Sequence, residues 1–196
     1  DPAANPPVER VMEDDERLRD RAQTALDGIS TAGSRASYRY HAMSANVHVA
    51  DAYPDSPLPG TVRVSIITDN DSGVPDEALL VSVRAALSEE TVRPLCDSVT
   101  VQAAEALETT IVATLYRQNG PAQEVAAAQA RIALTKLQTK ARRLGVGLPR
   151  SGIDAALHQP GISRVVLDMP AVDLLCEKTQ WVRVTDVTIS EVIISD

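Results

Sequence analysis

The residues that could do chemistry fall into small, scattered groups. Asp69-Asn70-Asp71-Ser72-Gly73 opens like a calcium loop. A loop of the EF-hand kind needs a glycine at its sixth position to turn the chain and a bidentate Glu at its twelfth. Counted from Asp69, those positions hold Val74 and Leu80, so both the turn and the last ligand are missing. The segment reads instead as a strand-to-helix turn, which Asp, Asn, Ser and Gly suit. The histidines His41, His48 and His158 offer no better cluster. His41 and His48 lie seven apart in different expected elements. A helical zinc pair places its histidines four apart with a third ligand nearby. Surface or partly packed roles are expected for His41 and His48, and His158 falls in a turn. Cys96 and Cys176 stand 80 residues apart with no CxxC, so a zinc knuckle is unsupported and buried free thiols are expected.

Nucleophile and phosphate motifs fare the same way. Ser34 follows Gly33 within TAGSRA, which is no GxSxG elbow. Gly145-Val146-Gly147 follows a helix rather than a strand, so it reads as a stop and loop instead of a phosphate cradle. The acidic run Glu13-Asp14-Asp15-Glu16 suits a solvated helix start. Lys136, Lys140, Arg142 and Arg143 suit the end of a helix, where cations complement the dipole, or a meeting with an acidic partner. No catalytic, cofactor-binding or metal-ligating residue is assigned on this reading. No enzyme activity is expected.

Composition narrows the classes. With no Phe, one Trp and four Tyr in 196 residues, the core must be built from Val, Ile, Leu and Ala. A net charge of −8 and so few aromatics argue against a nucleic-acid platform, which needs a basic face or stacking rings. No apolar run approaches the roughly 20 residues of a membrane span, and no signal peptide is visible. The chain opens Asp1-Pro2, so a trimmed or fragmentary chain is expected.

The elements that would hold these residues are more legible. Residues 1–10 are proline-rich and read as a linker. A helix is expected over 12–27, with Leu18, Ala22, Ala25 and Leu26 on one side and Gly28 as its stop. A second helix over 32–44, capped by Ser30 or Thr31, would bury Ala36, Tyr40 and Met43. A short strand carries Val47, Val49 and Tyr53, and 54–60 is the best internal boundary. Beyond it, Val62, Val64 and Ile66 alternate as a strand, and 75–89 is a helix with the stripe Leu79, Val83, Ala86 and Leu87. Strands follow at 98–104 and 108–117. The longest helix spans 122–143, with Val125, Ala128, Ile132, Leu137, Ala141 and Leu144 as its stripe. A short helix at 150–158 and strands at 162–168 and across 181–194 complete the chain. The class is α+β: a split βαβ-type sheet covered by two helices on one face, preceded by an amino-terminal helical segment. Two parts are expected. Residues 1–58 are a helical segment with a short strand that could belong to an upstream domain, and residues 59–196 are an α+β domain.

The order of these segments resembles the baseplate J-like proteins of contractile-tailed bacteriophages and related injection systems. The likeness runs from Glu13-Asp14-Asp15-Glu16-Arg17-Leu18-Arg19-Asp20-Arg21 through Gly28-Ile29-Ser30-Thr31-Ala32-Gly33-Ser34 to Tyr38, Tyr40 and His41-Ala42. It continues in Pro57-Leu58-Pro59-Gly60-Thr61-Val62-Arg63-Val64, Asp71-Ser72-Gly73-Val74-Pro75 and Val92 to Val101. It closes in Leu157-His158-Gln159-Pro160-Gly161-Ile162-Ser163-Arg164-Val165. The resemblance implies the carboxy-terminal two-thirds of a baseplate wedge protein with no catalytic residues. Such a protein assembles with itself in a six-fold plate and with other wedge and hub proteins, in the virion tail, after synthesis in the host cytoplasm. Cofactors, nucleic acid and membrane are not implied. The long helix and the amino-terminal helices would supply contact surfaces, Arg142 and Arg143 among them. The other readings are a small-ligand or carbohydrate-binding module, for which Trp181 could line a site, and an enzyme, which would need a cleft of perturbed ionisable groups.

Overall fold

The computed structural model describes residues 15–23, 25, 34–89, 92–94 and 96–194. Two compact units divide the chain, Asp1–Ala103 and Ala104–Asp196. Each contains a three-stranded sheet and a core of its own. The expected boundary at 58/59 falls inside the first unit, in the connection between two paired strands.

The first unit runs α1 (Asp15–Gln23), α2 (Arg35–Ala45), β1 (Val49–Asp55), β2 (Thr61–Thr68), α3 (Glu77–Leu87) and β3 (Ser98–Ala103). In α1 the expected stripe is not buried, since Leu18, Ala22 and Ala25 are all exposed. Leu26 and the stop at Gly28 lie outside the described residues, as do Ser30 and Thr31. The cap of α2 is Ser34, whose Oγ accepts from the Ser37 amide at 3.1 Å. Tyr38, Ala42 and Met43 form the buried face of α2, while Ala36 is exposed and Tyr40 only half-buried. β1 and β2 pair antiparallel, with Asp55 opposite Arg63, and the Arg63 guanidinium donates to both Asp55 oxygens. The buried Asp51 carboxylate accepts from Arg39 Nη2 at 2.9 Å and from the Ala52 amide at 2.9 Å, which ties α2 to β1.

β2, α3 and β3 form a crossover, since β2 and β3 are parallel and a helix must carry the chain back. Asp76 caps α3 by accepting from the Leu79 amide at 2.8 Å, and Pro75 stands just before this cap rather than in the first turn. Leu79, Val83 and Leu87, at spacings of four, meet Val64, Ile66 and Val101 of the sheet together with Tyr38 and Ala42. Ala86 is only partly buried.

The second unit runs β4 (Glu105–Gln118), α4 (Pro121–Ala141), α5 (Arg150–Leu157), β5 (Ile162–Met169) and β6 (Gln180–Ile194). The strand order is β5-β4-β6, with β5 antiparallel to β4 and β6 parallel to it. The α+β class is as expected, but the strands divide between two sheets. β3 and β4 are separated by Ala104 alone and yet pair into different sheets. β4 pairs with β6 instead, its amide at Glu105 donating to the Thr179 carbonyl and its residues pairing with Gln180–Ile194. The span 181–194, expected to be strand, is the single strand β6.

The buried face of α4 also differs from the expected stripe. Ala126, Ala127, Ala130, Leu134 and Ala141 are buried against the sheet, with Leu137 packed beside them. Val125 and Ile132 are exposed, as is Ala128. Alternating residues of β4, Ile111, Ala113 and Leu115, form the sheet side of this core, closed by Ile153 and Leu157 of α5. Small residues on α4 let the helix approach this row closely.

The loop before α5 is held by close backbone approach. Leu148 exchanges hydrogen bonds with Leu174, at 2.8 and 3.2 Å. Arg150 donates through Nη2 to the Leu167 carbonyl at 2.9 Å and through Nη1 to the Pro170 carbonyl, across a cis Met169-Pro170 bond. A Cβ on Gly147 would lie 2.4 Å from the Leu174 oxygen, a backbone atom that cannot step aside alone. Gly147→Ala should therefore destabilise the second unit by about 1–3 kcal/mol. A lower urea midpoint read from Trp181 fluorescence checks this, and an unchanged midpoint contradicts the close approach.

Candidate functional site

Of the residues singled out for chemistry, the structure brings His48 to Asp69. Asn70, in the turn after β2, accepts from the Gly73 amide at 2.7 Å and from Ser72 Oγ at 3.0 Å, and its own amide donates to the Val74 carbonyl. These bonds fold the turn on itself, with Gly73 at a φ of +70° that favours glycine. His48 sits beside this turn, its Nδ1 3.2 Å from both Asp69 oxygens. Both side chains are about half exposed. They edge a groove of about 430 Å³ lined also by Asn46, Thr68, Asp76 and Leu79. Asp76 is engaged in capping α3.

His41 packs edge-on to Tyr40 at 5.5 Å between ring centres. His158 closes α5, its amide donating to the Asp154 carbonyl at 2.9 Å. Among the described residues, no group of three or more His, Cys, Asp or Glu side chains could hold a metal ion. Both cysteines are free thiols, but Cys96 is exposed rather than buried. Cys176 is partly buried, and burial pushes its thiol up, away from the reactive thiolate. Gly145 and Gly147 serve backbone contacts, Gly145 donating to the Gln180 carbonyl at 2.8 Å.

Two polar side chains, Tyr38 and Glu191, hold elements in place. Tyr38 donates its O–H to Asp97 at 2.9 Å, and burial followed by this bond pushes the phenol up, so it stays protonated. In the second unit Glu191 bridges two arginines. Its Oε2 accepts from Arg117 Nε and its Oε1 from Arg131 Nη2, both at 2.8 Å. Arg117 is 7% exposed, so its charge relies on this carboxylate. The two hydrogen bonds, Arg117's first, hold the Glu191 carboxyl below the usual carboxylate range. The bridge joins β6 to β4 and α4. No sequence pattern announces it, since Arg117 and Glu191 are separated by 74 residues.

What the surface does offer is apolar area. Val125 and Ile132 of α4 are 59% and 49% exposed, and Val172 and Leu175 in the loop after β5 are 68% and 80% exposed. Val187, Val192, Ile193 and Ile194 add a further set on β6. Trp181 is withdrawn from this surface at 3% exposure, with Arg142 set over its ring at 5.8 Å. The ring face expected for a sugar is thus covered, and Arg142 serves packing as well as any contact.

Among the described residues, both units carry exposed apolar side chains and neither clusters metal-ligating groups. The family model described as the Baseplate J-like central domain matches residues 30–103, and the Baseplate J-like protein C-terminal domain matches 109–190. The chain belongs to the baseplate J-like family. It is similar to Baseplate protein J of Escherichia phage P2, at 43% identity over 180 residues. The aligned region covers 92% of this chain and 60% of that protein, so the chain spans about three fifths of its relative's length.

The Glu191 bridge carries a pH signature. A depressed carboxylate contributes stability in full above its unfolded pKa of about 4.3 and loses it as pH falls through the lower folded value. Glu191→Gln should cost about 1–3 kcal/mol at neutral pH. The gap between the two proteins' urea midpoints should narrow on acidification through that window. A gap that stays constant to strong acid contradicts the assignment.

Proposed function

We propose that the chain is a structural component of a phage, or phage-like, tail baseplate, acting through protein–protein assembly and catalysing no reaction. The observation that carries the reading is the pair of family matches, in order, each falling within one compact unit. The relative's name places that protein in a baseplate. By extension, this chain works in the wedge, bound to other wedge and hub proteins and to copies of itself in a six-fold plate. Assembly would occur in the bacterial cytoplasm, and the finished location would be the virion tail. No described helix is long and apolar enough to cross a membrane.

The physical basis is interface energy. Symmetric assemblies repeat the same complementary faces, and a plate that changes shape needs faces with two packings of similar free energy. The apolar side chains exposed on α4 are suited to such a face. The cations Lys136 and Lys140, both exposed on the same helix, add charge for an acidic neighbour. The expectation of an acidic partner names them together with Arg142 and Arg143, of which Arg142 is set over Trp181.

Co-purification tests the reading. The longer protein that contains this chain, co-expressed with its neighbouring tail proteins, should be recovered in complex with them. The double variant Val125→Glu with Ile132→Glu should keep its circular dichroism and lose roughly tenfold or more in partner recovery, the scale of a lost interface hot spot. Undiminished recovery would remove α4 from the interface. Failure of the unaltered protein to join any tail protein would sink the baseplate reading.

A further inference from the structure

We propose that the end of β6, Asp186–Ile194, is a strand-addition edge that pairs antiparallel with the same segment of a second copy. The inference deepens the assembly reading above by naming one surface and its occupant. β6 is the last strand in the order β5-β4-β6, and its inner side pairs with β4 as far as Ile194. Its outer side has no strand neighbour among the described residues. In its first half the outer side is already met, where Gly145 donates to the Gln180 carbonyl. From Thr185 onward every residue except Ile189 is exposed.

A free edge presents main-chain N–H and C=O groups at the spacing of a strand, and only another extended backbone matches that spacing. Natural edges are commonly guarded by lysine, proline or a bulge. Residues 186–194 contain no lysine or proline. The one irregularity in the ladder is a bulge on β6 itself at Thr185, between Val184 and Asp186, and it ends where the segment begins. Val187, Thr188, Ile189, Val192, Ile193 and Ile194 are β-branched, the side chains best suited to strands.

The side chains point to a second copy as the occupant. An antiparallel pairing centred on Ser190 is two-fold symmetric, so one patch serves both partners. It sets Val187 opposite Ile193 of the second copy, and Thr188 opposite its Val192. Val187 and Ile193 are apolar and exposed, at 40% and 55%, and would cover each other. Neither acid meets an acid: Asp186 faces Ile194 of the second copy, and Glu191 faces its Ile189. The Glu191 charge is in any case held by Arg117 and Arg131. Beside the edge lies a groove of about 280 Å³ between α4 and β6, floored by Leu134, Val187 and Ile189.

The test uses the whole 196-residue chain. Sedimentation over a concentration series should show a monomer–dimer equilibrium. Amide exchange of 186–194 should slow as concentration rises. Val187→Lys and Ile193→Lys change exposed side chains, so Trp181 fluorescence should report an intact fold, and each should weaken dimerisation roughly tenfold or more. A chain that stays monomeric to its solubility limit overturns the proposal. So does a dimer in which 186–194 exchanges as in the monomer, or folded lysine variants that dimerise normally. A monomeric chain whose longer protein still joins tail proteins would defeat this edge and leave the baseplate reading standing. An edge dimer without any such partners would do the reverse.

Discussion

The parallel pairing of β4 with β6 is the constraint on which the second unit depends. It joins two segments 75 to 76 residues apart, from Glu105 with Gln180 to Gln118 with Ile194. Parallel neighbours cannot be linked by a tight turn, so the intervening chain must make a long return. That return supplies α4, α5 and β5, which cover one face of the sheet and flank β4 on its other side. The Arg117–Glu191–Arg131 bridge fixes the far end of the pairing, and Trp181 under Arg142 lies near the other.

Local elements were largely legible in the sequence, because they rest on local physics. The helix at Glu77–Leu87 carries apolar residues at spacings of four and a capping Asp, and it lies within the span its pattern predicts. The turn at Asp69–Gly73 follows from its run of turn-forming residues. What failed was pairing and facing. Whether Ser98–Ala103 and Glu105–Gln118 share a sheet depends on a partner at the other end of the chain, which no short window contains. The stripe on α4 was misread because alanine carries little periodic signal, so Val125 and Ile132 dominated the pattern although they face out. The cap of α2 was placed three or four residues early for a similar reason, with several small polar residues competing for one role.

The candidate site was legible mainly through what its motifs lacked. The aborted calcium loop, the separated histidines and the GVG loop all resolve into turns, caps and close backbone contacts. The resemblance noted in the order of segments and the family matches point the same way. Function in such a molecule resides in faces, and a face is assembled from residues distant in sequence. The apolar positions on α4 and β6 become a surface only after folding, which is why residue spacing alone did not reveal the β6 edge.

The alanine face of α4 has one further consequence. Ala126, Ala127 and Ala130 give up no rotamer freedom when buried, and each brings little apolar area. The helix is therefore held by fit more than by the mass of its side chains. Tolerance at these positions is one-sided. A larger residue would wedge the helix away from the strands beneath it, and the only smaller choice, glycine, would loosen the helix itself. Drift in sequence is free on the outward side of the same cylinder, so a lineage could remodel what α4 greets while leaving how it sits untouched.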